Sequence, residues 1–142
     1  MNTFLHILKR TIVIFLSVFI GAQVNGAILT LGTTLIPAPD GFDLNTIDGL
    51  KAAVPFLEAK HYLFPFLAHA IGTLISALLI TRFLTSQQLF FSMMAGILFL
   101  LGGVSMVIML PGTPIWFVLL DLIVAYFPMA YFAYKIAYKR QG

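Results

Sequence analysis

The sequence predicts an all-α, polytopic integral membrane protein: a four-transmembrane-helix bundle with a short amphipathic helix in the first extracytoplasmic loop. Three observations predict it. Hydrophobic residues make up 61% of the 142 residues and charged residues only 9%, against about 25% in a soluble domain, and mean hydropathy is +1.03. Four segments each stay apolar for about 20 residues, the length of helix that crosses a bilayer core. The lysines and arginines gather at the ends of those segments, so the net charge of +3 reflects topology and not a nucleic-acid surface. Four spans use most of the chain and leave 1–142 as a single membrane domain.

Span one is 11–31, behind a short basic start with Lys9 and Arg10. A basic start before an apolar run also describes a signal peptide. Here the apolar run continues to Ile36 with no clean small-x-small site, which favours a first helix with its N-terminus in the cytoplasm. Residues 37–61 form the one sizeable hydrophilic segment. Leu44, Ile47, Leu50, Val54 and Leu57 recur there at helical spacing. Asp43 or Asn45 is the expected cap, and Pro55 the expected break. Such a helix lies on the membrane, folds over the bundle mouth, or merely connects two spans; the last is the plainest expectation.

Span two is 62–84, with Pro65 in its first turn, where a missing N–H costs little. A tight polar turn at 85–88 makes spans two and three antiparallel neighbours. Span three is 88–110, rich in Phe, Met and Gly. The PGTP turn at 111–114 leads to span four, 115–138, where a mid-span Pro128 should kink the helix.

Lys9, Arg10, Arg82, Lys135, Lys139 and Arg140 fall on one side of this arrangement and only Lys51 and Lys60 on the other. By the positive-inside rule both termini are cytoplasmic and 37–61 is outside. Four of the five acids, Asp40, Asp43, Asp48 and Glu58, also fall outside. Compactness suggests a bacterial inner (plasma) membrane. Trp116 at one end of span four and Tyr134 with Tyr138 at the other suit an aromatic belt.

A polar group in hydrocarbon needs a partner, so polar residues are informative by depth. Asp121 and His69 lie equally far from the outer ends of spans four and two, roughly 10 Å at the helical rise. Gln23 and Asn25 lie a few residues below the outer end of span one. These four residues, from three helices, are expected to share one layer in the outer half. An ionisable group at such depth is a functional candidate, and a His69–Asp121 pair would be a candidate proton-binding site. The plain alternative is interhelical glue, worth about 1 kcal/mol per pair.

His69, Thr73 and Ser76 share one face of span two. Small-residue lines run through Ala22, Gly26 and Thr30, through Ala68, Gly72 and Ser76, and through Ser92 and Gly96. They suit close packing within the bundle or between protomers, which leaves a homo-oligomer open. Glu58 and His61 are one turn apart at the expected pocket mouth. With His69 and Asp121 they offer two nitrogens and two oxygens to a metal, but no HExxH or paired ExxH accompanies them, and ordinary interfacial solvation is the expectation.

No cysteine is present, which excludes thiol redox chemistry and disulfides and separates the chain from vitamin K reductase-like enzymes. Span one carries no acid, unlike small multidrug transporters. No motif calls for a cofactor or a metal, and no catalytic residue stands out. The leading expectation is a non-enzymatic bundle whose outward-facing pocket, between spans one, two and four, binds a membrane lipid or other amphiphile through Asn25, His69, Thr73, Asp121 and Gln23. The alternatives are a proton-coupled small transporter or channel using His69 and Asp121, and a membrane enzyme acting on a lipid headgroup with Glu58, His69 and Asp121 as acid–base residues. A dead-end cleft favours the first, a through-path the second and an ordered metal the third.

Overall fold

The computed structural model describes residues 2–39 and 41–138. Asp40, Lys139 and Arg140, placed above in the outer segment and at the basic end, lie outside them. The described residues form α1 (Asn2–Leu35), α2 (Ile47–Ala53), α3 (Leu63–Phe83), α4 (Gln88–Met109), α5 (Ile115–Val124) and α6 (Phe127–Ala137), with 3₁₀ turns at Val54–Phe56 and Ala59–Tyr62 and no strand. Four helical stretches, Thr3–Leu35, Ala59–Phe83, Gln88–Met109 and Ile115–Ala137, are long and apolar enough to cross a membrane.

The distribution of side chains is inverted relative to a soluble protein. The largest fully buried side chains are Tyr126, Ile80, Thr73, Thr81, Ser76 and Ser92. Ile108, Phe15 and Ile123 face outward at 75%, 68% and 63% exposure. Water would oppose that arrangement, but hydrocarbon does not, and helices in lipid associate through small and hydroxylated residues.

Helix α3 is the hub: it packs on α1, α4 and α6, and α4 and α6 pack on each other. The α1–α3 crossing is made by two glycines. A Cβ on Gly21 would sit 2.6 Å from the Gly72 carbonyl oxygen, and one on Gly72 would sit 2.9 Å from that of Gly21. The small-residue line that meets α3 is therefore the one through Gly21 and Gly32, which abuts Phe64. Ala22, Gly26 and Thr30, expected to pack, instead line an open cavity. Helix α1 also overruns 11–31 at both ends, because nothing between Asn2 and Leu35 breaks a helix. At 1.5 Å per residue it is roughly 50 Å long, more than the ~30 Å hydrocarbon core needs.

Hydroxyls and an amide hold α3 to α4. Thr81 Oγ1 and Ser92 Oγ are 2.8 Å apart, and the Ser92 hydroxyl also donates to the Ala77 carbonyl at 3.2 Å. Gln88 Nε2 donates to the carbonyls of Leu84 (2.6 Å) and Thr81 (3.0 Å), which satisfies oxygens that the end of α3 leaves bare. Span four breaks where Pro128 requires. Its ring cannot fit behind the carbonyl four residues back, and α5 ends at Val124 before α6 resumes at Phe127.

In the outer segment the cap is Thr46, not Asp43 or Asn45. Its hydroxyl accepts from the Gly49 N–H at 3.1 Å. Asp43 instead closes a turn on itself, accepting from the Asn45 N–H at 2.9 Å, a habit of Asp that competes with capping. Helix α2 is short, and Val54–Phe56 tightens to 3₁₀ around Pro55. Of the expected stripe, Leu44, Leu50, Val54 and Leu57 turn inward over the cavity while Ile47 is exposed. The segment folds over the bundle mouth and is more than a connector.

Candidate functional site

A cavity of about 810 Å³ lies between α1, α3 and α4 under the outer segment. This corrects the expected position between spans one, two and four: span four lends only Phe117 and Asp121, whereas α4 supplies a wall that includes Phe99, Gly102 and Met106. Depth from sequence gives a layer but no azimuth, and the residues of that wall are apolar or glycine, so a search for polar groups passes over them. Helix α1 leans on α3 and barely meets α4, which opens the space. At its inner end the ring of Phe99 reaches to the α1–α3 crossing. Its edge would stand 3.1 Å from a Cβ on Gly21 and 3.4 Å from one on Gly72.

His69 and Asp121 meet as a pair. His69 Nδ1 is 2.9 Å from both carboxylate oxygens of Asp121, and Asp121 is 2% exposed. The Tyr126 hydroxyl donates to Asp121 Oδ2 at 3.0 Å. A carboxylate accepts and does not donate, so the imidazole presents Nδ1–H to it and turns Nε2 away. His69 also lines the cavity, and Nε2 is its uncommitted polar atom. Its ring stacks on Tyr126 at 5.7 Å between centroids, which fixes the plane of the imidazole.

Tyr126 is the residue that sequence reasoning missed. In a continuous helix a residue five positions on is rotated by about 140° from Asp121 and cannot reach it. The break ahead of Pro128 resets that angle. Two further features make room: Gly103, whose Cβ would fall on the Tyr126 hydroxyl, and Gly96, whose Cβ would meet Ala130 at 3.1 Å. The available signal was an aromatic hydroxyl two residues before a mid-span proline.

The remaining candidates divide. Asn25 lines the cavity from α1 and packs beside Gly72, one turn along α3 from His69. Gln23 does not join it: two positions apart on a helix means opposite faces, and Gln23 is exposed on the outer side of α1. Thr73 is fully buried, as is Ser76, and neither lines the cavity; both hydroxyls lack a hydrogen-bond partner among the described residues. His61 lines the mouth, and its Nδ1 accepts from the Glu58 N–H at 3.0 Å. Glu58 faces away from the cavity and pairs with Lys60 at 3.1 Å. Among the described residues no three His, Asp or Glu side chains come together as a metal ligand set.

The fold and this site define a four-helix membrane protein with a mostly apolar cavity whose wall includes a His69–Asp121 pair, backed by Tyr126. No protein-family model matches the chain, and neither a curated protein nor a solved structure is similar to it.

Proposed function

We propose that the protein is a non-enzymatic amphiphile-binding bundle. Its cavity takes the apolar part of a lipid or lipid-like molecule, and the His69, Asp121 and Asn25 layer meets the polar part. The observation that carries this reading is a cavity of about 810 Å³ whose mostly apolar wall includes His69, Asp121 and Asn25, within the ~300–1,000 Å³ that ligand pockets occupy. Mostly apolar walls with few placed polar groups are the usual composition of such pockets.

A transport reading draws on the hydroxyls of Thr73 and Ser76, buried and without a partner among the described residues, which lie on the same face of α3 further toward its C-terminal end. Neither belongs to the cavity wall, which at the α1–α3 crossing is formed by the ring of Phe99. That neither hydroxyl reaches the cavity supports binding over passage.

The test is native mass spectrometry with lipid identification on gently purified protein, alongside Ala22→Trp, which fills the cavity, and the His69→Ala, Asp121→Ala double variant. The expected result is one discrete species on the wild type that is absent from Ala22→Trp and reduced in the double variant. Identical lipid profiles across all three would defeat the proposal and leave the polar layer as packing glue.

A further inference from the structure

Resting on the amphiphile reading, we infer that the ligand is a bilayer-resident lipid with an uncharged oxygen head, a hydroxyl or carbonyl. It enters sideways through a gap between α1 and α4. The head follows from which charges the cavity holds. Among the described residues no lysine or arginine lines it. Lys60 is engaged with Glu58, and Lys51 is exposed on α2, away from the wall. A phosphate or carboxylate head would be desolvated with no lysine or arginine to meet it and with Asp121 already in the wall, a costly burial.

A cationic head fares no better. Both Asp121 oxygens lie within 2.9 Å of His69 Nδ1, Oδ2 also accepts from the Tyr126 hydroxyl, and Asp121 is 2% exposed, so almost none of the carboxylate is open to a cationic head. What remains for a ligand is His69 Nε2 and the Asn25 amide. With Nδ1–H held by Asp121, Nε2 of the neutral ring accepts, and the Asn25 amide on the same cavity both donates and accepts; together they suit a neutral oxygen, a hydroxyl meeting either group and a carbonyl meeting the amide.

The route follows from what closes the cavity and what does not. Leu50, Val54 and Leu57 of the outer segment cover its top. On the flank, Gly26 of α1 and Gly102 of α4 both line the cavity and are both exposed, and a Cβ on either would touch nothing within 4 Å. Both belong to membrane-crossing helices, so this opening faces lipid and not water.

The experiment uses the full-length protein in phosphatidylcholine vesicles. The probes are a long-chain alcohol with a diazirine in its tail and the phosphate monoester of that same alcohol, and labelled peptides are mapped by mass spectrometry. The alcohol should label the cavity-facing parts of α1 and α4 at least about tenfold more than the phosphate ester, given what a desolvated charge costs at membrane depth. Gly26→Trp and Gly102→Trp, which have space for the new side chain, should each cut that labelling severalfold with the thermal midpoint unchanged. Equal or stronger labelling by the phosphate ester overturns the uncharged head while amphiphile binding stands. Undiminished labelling of both Trp variants overturns the lateral route. Labelling of the cavity by neither probe takes the amphiphile reading down with the inference.

Discussion

At the scale of single residues, Asp121 is the most demanding group in the molecule. It is a carboxylate 2% exposed on a membrane-crossing helix, and its two partners, His69 and Tyr126, both present hydrogens to it. Removing the acceptor strands the buried Tyr126 hydroxyl and the part-buried His69 Nδ1–H, and a stranded buried polar group costs more than the bond it made. Asp121→Ala should therefore lower stability by about 1–3 kcal/mol, read as a fall in thermal midpoint in detergent. Tyr126→Phe removes one donor and leaves an acceptor with another partner, so about 1 kcal/mol is expected. The Asp121→Ala, Tyr126→Phe double variant should cost less than the sum, because both single changes break the same bond. Full additivity would mean that the Tyr126 hydroxyl contributes nothing through Asp121. Gly103→Ala should resemble or exceed Tyr126→Phe, since the new methyl would occupy the place of that hydroxyl; an unchanged midpoint would contradict the geometry.

At the scale of elements, two glycines on one helix have opposite duties. Gly21 and Gly72 let α1 and α3 cross with backbone nearly touching backbone, whereas Gly26, little more than a turn along α1, faces open space. Gly72→Leu must push α1 off α3, at a cost typical of overpacking, about 1–3 kcal/mol or more. Gly26→Leu should be neutral or stabilising by up to about 1 kcal/mol, the helix propensity that glycine forfeits. Paired thermal midpoints decide it: if Gly26→Leu is the more harmful, the crossing lies elsewhere. This contrast also marks the limit of the sequence. Span existence was legible because hydrocarbon demands about 20 apolar residues. The His69–Asp121 meeting was legible because two ionisable groups at equal depth need each other, and the break in span four because Pro128 cannot sit in a helix interior. Which small-residue line on α1 would meet α3 was not legible, because Gly21 and Gly26 are both glycines and periodicity does not say which face has a partner. Tyr126 and Phe99 were hidden for related reasons: the first needed the rotation at the break, and the second is an apolar ring among many.

For the whole molecule, the consequence left to test is orientation. Arg10 donates to Ser86 Oγ at 2.9 Å and to Gln87 Oε1 at 3.0 Å, which places the basic end of α1 at the α3–α4 turn. Arg82 precedes that turn, and Tyr134 and Tyr138 of span four share a hollow with Thr85–Phe90, bringing Lys135 to the same end. Lys51 and Lys60 sit at the opposite end with the outer segment. A bundle with cations so segregated is expected to hold its basic end in the cytoplasm, because lysine and arginine near span ends resist translocation. The chain has no cysteine, so single-cysteine variants report without background. Both Lys51 and Thr85 are exposed. In intact bacterial cells a membrane-impermeant thiol reagent should label Lys51→Cys and spare Thr85→Cys, and inside-out vesicles should reverse the pattern. The opposite pattern would invert the molecule and put the cavity mouth in the cytoplasm. Labelling of both in intact cells would mean a mixed orientation, with a charge bias too weak to choose. The cavity bears on this choice: its His69–Asp121 pair lies toward the end covered by α2, so under the proposed amphiphile reading the orientation decides which leaflet of the bilayer would supply a ligand.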